Sequence, residues 1–120
     1  MMLYAILIYG SESALEGWTK AEGEAMTARH YAVRHELEPQ QKVGPAFRLM
    51  PTTNAVSVRN GAKQVVLDGP YAETKEQLLG LWTVDCENLE EVIAIAKRLT
   101  FESAAFEIRP VRAVLPASAG

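Results

Sequence analysis

Leu3-Tyr4-Ala5-Ile6-Leu7-Ile8-Tyr9, closed by Gly10, is the stretch on which the fold turns. An unbroken apolar run of this length describes a central strand covered on both faces. It falls far short of the roughly 20 residues that span a bilayer. No basic leader or small-residue cleavage site accompanies it, so a secretory signal is not expected. A strand buried on both sides needs helices against one face and a second cover against the other.

The helices are legible. Thr19 followed by Glu22 forms a capping box, in which side chain and backbone satisfy each other's free amides, and opens a helix running to Leu37. Met26, His30, Val33 and Leu37 share one face of it, and Pro39 ends it. Asn88 caps a second helix whose inner side is predicted to carry Leu89, Val92, Ile93, Ala96 and Leu99. Lys97 and Arg98 near its C-terminal end suit the helix dipole.

The remaining segments read as strands. Val43 and Phe47 mark one, interrupted by Gly44-Pro45. Val56 and Val58 alternate with Ser57 and Arg59, Asn60-Gly61 tolerates the positive φ of a tight turn, and Val65 to Leu67 answers on the far side. Asp68-Gly69-Pro70-Tyr71 breaks both helix and strand. Leu78 to Val84, with Trp82, and Phe106 to Val111 complete the set. The fold class is therefore α+β: a ferredoxin-like βαββαβ plan with an inserted hairpin, its antiparallel sheet carrying two helices on one face. Residues 1–114 make one domain and 115–120 a loose tail. Two helices cannot cover both faces, so a second copy of the sheet is the expected cover, giving a homodimer.

Composition narrows the classes of function. Hydrophobic residues are 48% and charged residues 22%, the proportions of a globular domain. A net charge of −3 and no evident basic patch argue against direct nucleic-acid binding. Cys86 is the single cysteine, which excludes an intrachain disulfide and a cysteine-rich zinc site. No membrane span, no metal and no organic cofactor are expected, and the compartment expected by default is the cytoplasm.

The stretch Leu67-Asp68-Gly69-Pro70-Tyr71-Ala72-Glu73-Thr74-Lys75-Glu76-Gln77-Leu78 resembles the DGPF group of YCII-related proteins, with Tyr71 where that group usually has Phe. The opening Tyr4 to Gly10, Asn60-Gly61, the Leu81 to Asp85 strand and the closing Glu107 to Val111 are similar as well. The resemblance covers nearly the whole chain and implies a dimeric α+β barrel. It also implies a largely uncharacterised group, often encoded beside extracytoplasmic-function sigma factors. In the wider group a His–Asp pair is the proposed active site.

Two functions follow as expectations. The first is a cofactor-free enzyme performing proton transfer, elimination or isomerisation on a small molecule. His30 would be its acid or base and Asp68 its orienting partner. Tyr71, Thr74, Lys75, Glu76 and Trp82 would bind the substrate beneath the Asp68 to Gln77 loop. The second is a non-catalytic ligand-binding or regulatory module associated with a sigma factor. Each residue also has a structural reading. His30 on an apolar stripe suits a core histidine bonded to a carbonyl, and Asp68 before Gly-Pro is a turn-former. Trp82 suits a small core, and the charges from Glu73 to Glu76 suit a solvated loop.

Overall fold

The computed structural model describes residues 1–115, so the expected tail lies outside the described residues apart from Leu115, which is exposed. The first strand, β1, runs Met2–Gly10. Its side chains alternate: Tyr4, Ile6 and Ile8 are buried on one face, while Leu3, Ala5, Leu7 and Tyr9 are half-buried on the other. After it come α1 (Glu12–Glu16), α2 (Lys20–Leu37), β2 (Val43–Arg48) and β3 (Val56–Arg59). β4 (Val65–Asp68), β5 (Gln77–Cys86), α3 (Leu89–Leu99) and β6 (Ala104–Pro110) complete the chain.

Four strands form one antiparallel sheet in the order β2-β5-β1-β6, which is the ferredoxin-like order. The expected hairpin stands apart as a two-stranded sheet, with Val56 opposite Asp68 and Arg59 opposite Val65. β2 forms in spite of Gly44-Pro45, because an irregularity between Val43 and Ala46 absorbs the proline. The α+β expectation holds, with one addition. The third helix, α1, is a single short turn capped by Ser11, too brief to leave a helical repeat in the sequence.

The core lies between the sheet and the two longer helices. Ile6, Val84, Cys86, Val92 and Leu99 are fully enclosed there. Burying side chains of this size contributes roughly 1.5–3 kcal/mol each. On α3 the inner stripe is Val92, Ile95, Ala96 and Leu99, a clean i, i+3, i+4, i+7 repeat. Ile95 therefore takes the place expected of Leu89 and Ile93, and Leu89 is left exposed.

α2 buries only Val33 and Leu37 completely, so apolar packing alone holds it weakly. Its basic residues supply the rest. Arg29 donates to the Thr100 carbonyl at 2.8 Å, and Arg34 donates to the Gly44 carbonyl at 2.8 Å. His30 meets the Leu99 carbonyl at 2.7 Å. Carbonyls at the end of α3 have no partner within their own helix, and α2 satisfies two of them. No helix among the described residues is long and apolar enough to cross a membrane.

Candidate functional site

Two places compete for the role of functional site, one on each face of the sheet. The first surrounds His30. A carbonyl oxygen only accepts, so Nε2 of His30 carries the proton given to Leu99, and Nδ1 is the basic nitrogen. The ring lies edge-on to Trp82, with centroids 6.1 Å apart, and tilted against Phe101 at 6.4 Å. Burial lowers its pKa below the usual histidine value, and the neighbouring Arg29 and Arg48 charges lower it too. The Leu99 bond opposes these effects without overcoming burial.

Asp68 is elsewhere. It is exposed at the end of β4, on the separate hairpin, where Gly69 takes a φ of +99° and donates its N–H to the Ala55 carbonyl. Among the described residues no hydrogen bond or ion pair joins His30 to Asp68, so the expected His–Asp pair is not formed within the chain. The physical reason is placement: Asp68 ends β4 of the separate two-stranded sheet, exposed, while His30 packs on the helix face of the other sheet, against the end of α3. Trp82, expected to line a substrate pocket, is instead buried in the core, and the Arg34 guanidinium stacks 5.5 Å from its ring.

The second place is a cleft of about 830 Å³ at the hairpin end of the molecule. One wall is the turn from Leu49 to Ala55, and the other is the loop from Gly69 to Glu76. Tyr9 and Leu78, opposite one another on β1 and β5, close it, and Ser57 of β3 reaches it from the hairpin. Strand alternation sends Tyr9 to the face away from Ile8, so the cleft belongs to the open face and His30 to the helix face. Tyr71, Thr74 and Glu76 line it as expected. Lys75 lines a neighbouring groove beside Glu12 and Glu16.

A chain of polar contacts ties the two walls together. The Glu12 carboxylate accepts from the Thr52 backbone N–H at 2.8 Å and from its hydroxyl at 2.5 Å. The Glu12 backbone N–H donates to Gln77 Oε1 at 2.9 Å, and Gln77 Nε2 donates to the Thr74 carbonyl at 2.6 Å. The Thr74 hydroxyl donates to the Glu76 carbonyl, and the Ser57 hydroxyl donates to the Gly69 carbonyl at 2.7 Å. The walls are thus held by fixed bonds around an open space, as a preformed small-molecule site requires. Neither Glu12 nor the Thr52 turn carries a recognisable motif. Only their contact across 40 residues gives them a role, and sequence spacing holds no sign of it.

Cys86 is fully buried beside the Lys42–Glu91 ion pair, whose atoms lie 2.5 Å apart. Burial, with the Glu91 charge second, pushes its thiol up to about 11, which makes it unreactive near neutrality.

Residues 2–114 match the YCII-related domain. An uncharacterised protein of Rhizobium meliloti (strain 1021) is 40% identical over 119 residues, covering 96% of both chains. A family match over almost the whole length agrees with the ferredoxin-like strand order, and this chain belongs to the YCII-related family.

Proposed function

We propose that the chain binds a small molecule in the cleft beneath the Asp68 to Gln77 loop. The observation that carries this reading is the cleft itself: about 830 Å³, mainly apolar in its lining, with walls tied by Glu12 and Gln77. The same loop carries the tetrapeptide that resembles the DGPF group, so the most distinctive stretch of the sequence lines the cleft. Proton transfer by a His30–Asp68 pair finds no support in this geometry. An enzyme working in the cleft would draw on Glu76 and on the Tyr9 and Tyr71 hydroxyls instead.

Amide chemical-shift mapping with benzyl alcohol, a neutral ring-sized probe, tests the reading. Shifts are expected at Tyr9, Thr53, Tyr71 and Leu78. Shifts gathered at His30, Trp82 and Phe101, or none at all, would sink it.

The homodimer belongs to the same proposal. Leu3, Ala5, Leu7 and Leu81 stand half-buried on the open face, and Phe47 is 58% exposed. A second sheet placed there would bury this surface and close a barrel over the cleft. Sedimentation that returns only the 13.2 kDa single chain would rule the dimer out. A regulatory module contacting a sigma factor is the second reading. It is favoured by Val56, Val58 and Val66, which lie on one face of the hairpin and are each more than 60% exposed. Loss of sigma-factor co-purification in Val58→Asp would support it, and unchanged co-purification would count against these valines.

A further inference from the structure

Resting on the reading of the cleft as a ligand site, we infer that its ligand is a ring-sized apolar molecule carrying no negative charge. Among the described residues of the single chain, the cleft's lining contains no lysine, arginine or histidine. A carboxylate or phosphate taken from water into a mainly apolar cleft needs a cation or several aligned donors to offset its lost hydration. Here no cation is on offer among the described lining residues. The charged side chains that do reach the lining are Glu73 and Glu76, which repel an anion and attract a cation.

Two cations of adjoining segments are turned elsewhere. Lys75, between the two glutamates in sequence, faces the neighbouring groove that holds Glu12 and Glu16. Arg59 reaches the loop only at the Tyr71 carbonyl, at 3.5 Å, and does not line the cleft. Half of the lining hydroxyls that could have solvated an anion are also taken. Thr52 gives its proton to Glu12, Ser57 to Gly69 and Thr74 to Glu76. Tyr9, Thr53, Asn54 and Tyr71 remain to meet a ligand. Those groups suit an alcohol, an amide or an amine on an apolar ring.

Three probes of one shape separate the charge states: benzylamine (protonated near neutral pH), benzyl alcohol and phenylacetate. Their dissociation constants are read from the shifts of cleft amides in the native protein. Benzylamine and benzyl alcohol are expected to bind, with phenylacetate at least about tenfold weaker. The advantage of benzylamine over phenylacetate should shrink in Glu73→Gln with Glu76→Gln, two exposed substitutions, and also at raised salt. Phenylacetate binding as tightly as benzyl alcohol would overturn the charge inference while leaving the cleft as the site. Failure of all three probes to shift the cleft would overturn both.

Discussion

The His30 imidazole gives its Nε2 proton to the last turn of α3 and lies edge-on to Trp82, so packing sets its position. Its depressed pKa fixes a sign for the pH dependence of stability. Below about 6.5 the unfolded chain takes a proton at His30 before the folded chain does. This residue therefore subtracts stability as pH falls from 6.5 toward its lower folded pKa and has no such effect above 6.5. An NMR titration should place His30 below 6.5 in the native chain and equally in Asp68→Asn. A value above 6.5 that drops in the variant would restore the paired reading. The sequence could put His30 on the inner stripe of α2, because that needs only helical periodicity. It could not name the partner, since the acceptor is a backbone oxygen 69 positions away.

Among the elements, those with local chemical signals were the legible ones. The Thr19–Glu22 capping box and the Asn88 cap both form as read, because each involves atoms within three residues of one another. The β3–β4 hairpin forms as read, but Asn60-Gly61 only opens its connection over residues 60–64, and neither residue takes a positive φ. Elements set by distant packing were harder. The inner stripe of α3 turned out to include Ile95, and which of several apolar residues faces inward depends on how the helix sits against the sheet. Gly80 is another such case. β2 passes so close that a Cβ there would run into the Phe47 carbonyl oxygen. Gly80→Ala must push β2 aside, and the expected loss is about 1–3 kcal/mol, read as a lower urea midpoint. An unchanged midpoint would mean that β2 is loosely held.

For the molecule as a whole, the helix face is finished and the open face is not. The finished face holds the core and His30, and the open face holds the cleft and the half-buried leucines. This division explains which site residues were readable. Tyr71, Thr74 and Glu76 stand on one continuous loop with a distinctive motif. Tyr9, Thr53 and Ser57 join them only because the fold brings three other segments to the same place. In the proposed function, binding belongs to the cleft and is independent of His30. Benzyl alcohol affinity decides this when Thr53→Trp, which fills the cleft from an exposed position, is set against His30→Gln, which keeps a side-chain N–H donor for the Leu99 carbonyl. With both variants shown to be folded by near-UV circular dichroism, at least about a tenfold loss is expected in Thr53→Trp and native affinity in His30→Gln. Native affinity in Thr53→Trp with loss in His30→Gln would contradict it.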